Sequence, residues 1–110
     1  MDDGFEAVRA IFKEAAWPGV EEGTSYGTPA LKVKGKLMVR FKEPGIIVLK
    51  VDLDTKEMLM SVRPEVYFET DHYKGWPAVL ARLDQFEEGE LREILDRIWH
   101  ENAPRSLRKA

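Results

Sequence analysis

The sequence predicts an α+β domain whose elements run α-β-β-β-α-β-β-α, with the five strands in an antiparallel sheet. Three observations predict it. Apolar residues recur at helical spacing near both ends of the chain, and the period changes to two over residues 31–42. Turns of two or three residues centred on glycine or proline then join successive strands, too short for the crossovers that parallel strands need. A length of 110 residues fits one domain with one core, spanning residues 1–110.

The first helix starts at Asp3, a cap with Glu6 as its partner three residues on, and carries the stripe Phe5, Val8, Ile11, Phe12, Ala15. Pro18 holds Trp17 out of helical angles, so Trp17-Pro18-Gly19 ends it. Residues 20–27, VEEGTSYG, show no period and read as a loop. In LKVKGKLMVRFK (31–42), Leu31, Val33, Leu37, Val39 and Phe41 hold odd positions. Lys32, Lys34, Lys36, Arg40 and Lys42 hold even ones, and Met38 alone interrupts. That is a pair of half-buried strands folding at Lys34-Gly35-Lys36, where glycine supplies the unusual φ. Glu43-Pro44-Gly45 turns the chain into IIVLKV (46–51), a third strand apolar on both faces at its start and therefore interior.

Asp54, with Glu57 as box partner, opens a short helix that carries Met58, Leu59 and Val62 inward and stops at Arg63-Pro64. EVYFET (65–70) and AVLARL (78–83) read as two more strands around the loop DHYKGWP. Glu87, Glu88 and Glu90 suit the start of the last helix, whose stripe is Leu91, Ile94, Leu95, Ile98 and Trp99. Asn102 and Pro104 stop it, leaving a short basic tail, RSLRKA.

Composition excludes several chemistries. Apolar residues at 44% and charged residues at 34% are the balance of a soluble globular protein. The absence of cysteine removes disulfides, thiolate catalysis and zinc–thiolate sites. No apolar run reaches the roughly 18 residues of a membrane span, and the N-terminus is acidic where a signal peptide is basic, so a cytoplasmic protein is expected. His72 and His100 lack metal-ligand spacing and GTPALK lacks the phosphate-loop pattern, so neither metal nor cofactor is expected.

One motif invites an enzymatic reading. GTSYG (23–27) matches G-x-S-x-G, and Ser25, Asp71 and His72 follow in the order of the α/β-hydrolase triad. That elbow needs a strand before the serine and a helix after it. Here Pro29 keeps Thr28 extended, so no helix starts behind Ser25. Asp71 and His72 are adjacent, and in an extended segment their side chains point apart. The expectation is a protein without a catalytic set.

Charge is unevenly distributed. Net charge is −3, but residues 32–50 hold six cations and one anion, leaving 11 cations against 19 anions elsewhere. The even-numbered cations of the first two strands project from one sheet face. They either blunt a solvated edge, a common protective device, or track phosphates as strand readers do.

PGVEEGTSYGTPALKVKGKLMVRF, VDLD and TDHYKGWPAVLARL together resemble the MmcQ/YjbR family of small bacterial proteins, over about residues 5–104. The resemblance implies a two-layer domain like that of secretion chaperones, and DNA binding through hairpins in a double-wing arrangement; it brings no catalytic residues. Two readings follow. DNA is met through its phosphates by Lys32, Lys34, Lys36, Arg40 and Lys42, weakly and with little sequence preference. Alternatively, a protein or small ligand is held by the GTSYGTP and DHYKGWP loops through Thr24, Ser25, Tyr26, His72, Tyr73, Lys74 and Trp76.

Overall fold

A computed structural model describes residues 5–108. The cap expected at Asp3 lies outside them. Helix α1 (Phe5–Ala15) buries Phe5 and Val8 and is followed by six strands interrupted by one α-helix and by a 3₁₀ turn at Asp71–Tyr73, where an extended segment was expected. These are β1 (Val20–Ser25), β2 (Thr28–Val33), β3 (Lys36–Glu43), β4 (Ile46–Lys50), α2 (Leu53–Val62), β5 (Tyr67–Phe68) and β6 (Ala78–Arg82). Helix α3 (Glu90–Asn102) and a helical turn, α4 (Arg105–Arg108), close the chain; the latter occupies part of the expected tail. The sheet is antiparallel throughout, in the order β1-β2-β3-β4-β6-β5. No helix among the described residues is long and apolar enough to cross a membrane.

The sheet has six strands, not five, because residues 20–25 pair with β2 along their whole length, Val20 opposite Val33 and Ser25 opposite Thr28. This edge strand buries Val20 and leaves Glu21 to Thr24 exposed, so it has no apolar alternation for a periodicity to find. Backbone pairing alone makes it a strand.

Two tight turns join the first three strands. Tyr26 and Gly27 have φ of 53° and 77°, and Lys34 and Gly35 have 49° and 83°. Two positive φ values in a two-residue loop make a type I′ turn, whose twist matches that of the strands it joins.

Between β2 and β3 the register shifts: Leu31 faces Val39 while Lys32 faces Leu37, which leaves Met38 as the extra residue of a bulge. Met38 and Val39 both bury completely in the core. The expected alternation is therefore corrected at Leu37, which turns to the opposite face together with Arg40.

The core lies between one sheet face and the helices. Ile47, Leu49, Val79 and Ala81 of the central strands meet Phe5 and Val8 of α1 and Leu91, Ile94, Leu95 and Ile98 of α3. Two indoles fasten the layer: Trp17 Nε1 donates to Asp96 (2.7 Å) and Trp99 Nε1 to the Pro18 carbonyl (3.0 Å). Ala30, Val48 and Leu80 are buried too, but belong to the other face of the sheet.

Helix α2 departs from expectation at both its start and its inward face. Its cap is Asp52, extended at φ −73°, whose carboxylate accepts from the Thr55 amide at 2.7 Å; Asp54 lies inside the helix. Thr55 and Lys56 are buried and Leu59 and Met60 partly so, while Met58 and Val62 are exposed. The apolar pattern misleads because the buried position goes to a lysine with partners of its own.

Candidate functional site

The sheet face turned away from α1 and α3 carries an open groove of about 430 Å³. Its floor is apolar: Leu37 of β3, Val48 of β4 and Ala78 of β6. The registers Arg40–Val48 and Lys50–Ala78 set a cation beside each of the last two on the same face. Lys42 completes a set of three cations, and among the residues lining the groove there is no carboxylate. The walls come from two loops: Tyr26 from the β1–β2 turn, and His72, Tyr73, Trp76 and Pro77 from the segment before β6.

Arg40 ties these loops together. Its guanidinium donates to the Tyr73 hydroxyl and to the Phe41 carbonyl (3.3 Å), and its Cζ lies 5.3 Å from the centre of the Tyr26 ring. A guanidinium over an aromatic face is attracted by the ring's quadrupole, so the arrangement holds Arg40 and Tyr26 in register. The His72 ring meets the Tyr73 ring edge-on at 5.6 Å. Tyr26 and Trp76 stand out into solvent, 90% and 63% exposed.

The second loop is stapled from below by Lys56, which reasoning from sequence does not single out. Its side chain is 3% exposed, and Nζ donates to the carbonyls of Tyr73 (2.7 Å) and Trp76 (2.9 Å) and pairs with the Glu69 carboxylate (2.8 Å). Three donors meet three acceptors, which is the full capacity of an ammonium. Inside the loop the Trp76 amide donates to the Tyr73 carbonyl and Gly75 takes φ 81°, a left-handed angle that suits glycine. A lone lysine on the inward face of a helix leaves no pattern in a sequence.

Of the five cations expected to act as one face, Arg40 and Lys42 line the groove. Lys32, opposite Leu37, shares that face outside the lining. Lys34 and Lys36 are exposed at the hairpin end, where the type I′ turn and the bulge take them out of the alternation. Lys50 joins the set instead. Tyr26, His72, Tyr73 and Trp76 come together as grouped; Thr24, Ser25 and Lys74 flank the lining without entering it. Ser25 ends a strand that turns straight into another strand, and its carbonyl accepts from Thr28 Oγ1 at 2.7 Å. Basic face and aromatic pocket, expected as rivals, share one groove.

The sequence profile of the YjbR family matches residues 15–101, which include every strand and both loops. The chain belongs to the YjbR family. Among curated relatives, the uncharacterized proteins Mb2600 of Mycobacterium bovis, and MT2646 and Rv2570 of Mycobacterium tuberculosis, are each 41% identical to it over 59 residues. That stretch is 54% of this chain and 46% of each relative, so the chain spans about half the length of the curated relatives it matches. For this YjbR chain, family membership fixes the fold, and the groove is where function is to be sought.

Proposed function

We propose that this YjbR-family chain is a cytoplasmic, non-enzymatic module that binds nucleic acid through the groove, weakly and with little sequence preference. One observation carries the reading: Arg40, Lys42 and Lys50 converge on an open groove that no carboxylate lines. Cations so placed meet phosphates, and phosphate contacts give affinity without sequence information. The anionic surplus on the rest of the chain repels a polyanion, so affinity on the order of 10⁻⁵ M is expected at physiological salt.

Fluorescence anisotropy with a labelled mixed-sequence duplex, at several salt concentrations, tests it. Three phosphate contacts predict a log–log slope of about −2.7. Replacing Arg40, Lys42 and Lys50 together by Gln flattens that slope, while replacing Lys34 and Lys36 leaves it nearly intact. Absence of binding at low salt to duplex and single strands alike, or a slope indifferent to the triple substitution, overturns the proposal. The aromatic walls favour a second reading, a pocket for a small anionic ligand or a protein side chain, and that reading then takes its place.

A further inference from the structure

The cations account for one half of the groove and leave the other half unexplained. Tyr26 occupies the first central position of a type I′ turn at φ 53°, in the left-handed region where Asn or Gly is at ease and a tyrosine is strained. The residue is 90% exposed, so burial does not offset that strain. Exposed Lys34 takes the same position and a similar angle in the other turn, so what sets Tyr26 apart is not the angle but its place at the groove. What the ring does have is the Arg40 guanidinium beneath it, and open solvent around the remainder.

Trp76 is the counterpart on the opposite loop. This tryptophan, one of three in the chain, stands 63% exposed on a segment whose carbonyls at Tyr73 and Trp76 are pinned by buried Lys56. The loop is thus held still while its indole is offered outward. Two presented aromatic rings and three cations lining the same groove provide both things a nucleotide offers partners for, a π-face and a phosphate. A duplex hides its base faces in the stack and reaches only the cations. An unpaired strand reaches both.

We propose that the groove is a site for an unpaired nucleic-acid strand, with bases stacked on Tyr26 and Trp76 and phosphates on Arg40, Lys42 and Lys50. This rests on the nucleic-acid reading above and specifies the form of the ligand. The site distinguishes neither sugar, so single-stranded DNA and single-stranded RNA are both within its chemistry.

The experiment is a set of anisotropy titrations of the full chain at low salt. The probes are labelled oligothymidylate, oligouridylate, a duplex of the same length, and thymidine monophosphate as competitor. At least one single strand binds roughly tenfold or more tighter than the duplex, with a salt slope near −2.1 for three phosphates. Trp76→Ala and Tyr26→Asn each weaken single-strand binding roughly 5- to 150-fold, the range for losing one base–aromatic stack. Tyr26→Phe, which keeps the ring, restores it. Tyr26→Asn melts at or above the parent's temperature because Asn accepts the left-handed angle, so its loss of binding is not a loss of fold. Equal affinity for duplex and single strand, with neutral ring variants, overturns this inference and leaves the nucleic-acid reading standing. No binding of any polymer overturns both. Competition by the monophosphate as strong as by the oligomer overturns the strand and assigns the groove to a small anion.

Discussion

Replacing Lys56 by Met keeps the length of the side chain, and most of its volume, and deletes the charge. Lost with it are two charge-assisted hydrogen bonds to the Tyr73 and Trp76 carbonyls and the pair with Glu69. Breaking a wholly buried ion pair costs about 3–5 kcal/mol. Here the cost is smaller, for two reasons visible in the structure. The Glu69 side chain is 27% exposed and regains water. Each carbonyl also keeps one donor: Tyr73 the Trp76 amide at 3.0 Å, and Trp76 the Ala78 amide at 2.8 Å. Removing the ammonium's own desolvation penalty offsets a further part, which leaves a loss of about 2–3 kcal/mol. Urea unfolding followed by circular dichroism reads it: with a slope of roughly 1.5 kcal/mol per molar, the midpoint falls by about 1.3–2 M at unchanged slope. The loop loosens as well, so proteolytic nicking at Lys74 accelerates before global unfolding does. Lys56→Met combined with Glu69→Gln falls short of the sum of the single substitutions, because the two share an interaction. A midpoint within about 0.2 M of the parent's, with the loop equally resistant to protease, refutes the staple.

Ser25, at a strand-to-strand turn, gives no adduct with a fluorophosphonate probe in mass spectrometry; labelling that Ser25→Ala abolishes and His72→Ala weakens would restore the hydrolase reading. Gly27 has φ 77° with open space where a Cβ would sit, so Gly27→Val destabilises by backbone strain alone, about 1–2 kcal/mol in thermal or urea unfolding. An unfolding curve like the parent's would show the turn to be unconstrained. Burial raises the Glu90 carboxyl's pKa, but hydrogen bonds from Arg63 and the Glu87 amide outweigh it and hold the group below its ordinary range. That stabilisation is complete above the unfolded carboxyl's value near pH ~4.3 and disappears as pH falls through the folded one. Unfolding midpoints of the parent and of Glu90→Gln therefore converge in acid and separate toward neutrality; a gap constant across pH counts against the pair.

How much a sequence reveals depends on whether a residue's partners are local. α3 is legible because Leu91, Ile94, Leu95 and Ile98 repeat the geometry of one helix face, and all four are buried. The two loops announce themselves through glycine, proline and aromatic residues, whose backbone demands are local too. β1 is invisible because its stability comes from β2, and no side chain of Glu21 to Thr24 records that pairing. The five-cation face fails because alternation is a rule for regular strands, and the extra residue at Met38 depends on the partner strand's register. Lys50 was legible as charge but not as site, since its neighbour Ala78 is 28 residues away in the chain. Lys56 depends on carbonyls 17 and 20 residues downstream.

The bulge at Met38 has a consequence for how this hairpin tolerates changes in length. Leu37 and Arg40 are three residues apart yet share a face, a spacing that a regular strand forbids. Deleting the bulged residue returns the strand to plain alternation, with Leu37 and Arg40 still facing the groove and Val39 still facing the helices. Losing Val39 or Phe41 from the regularly alternating stretch, by contrast, exchanges the two faces on one side of the loss. Position 38 is thus a place where β3 can lose a residue without turning its groove face into its core; the second register shift, between Phe41 and Glu43, lies beyond Arg40. A flexible thioether, able to fill an irregular gap, suits that dispensable position. Residues of this groove are therefore counted by sheet face, not by sequence interval, between Leu37 and Arg40.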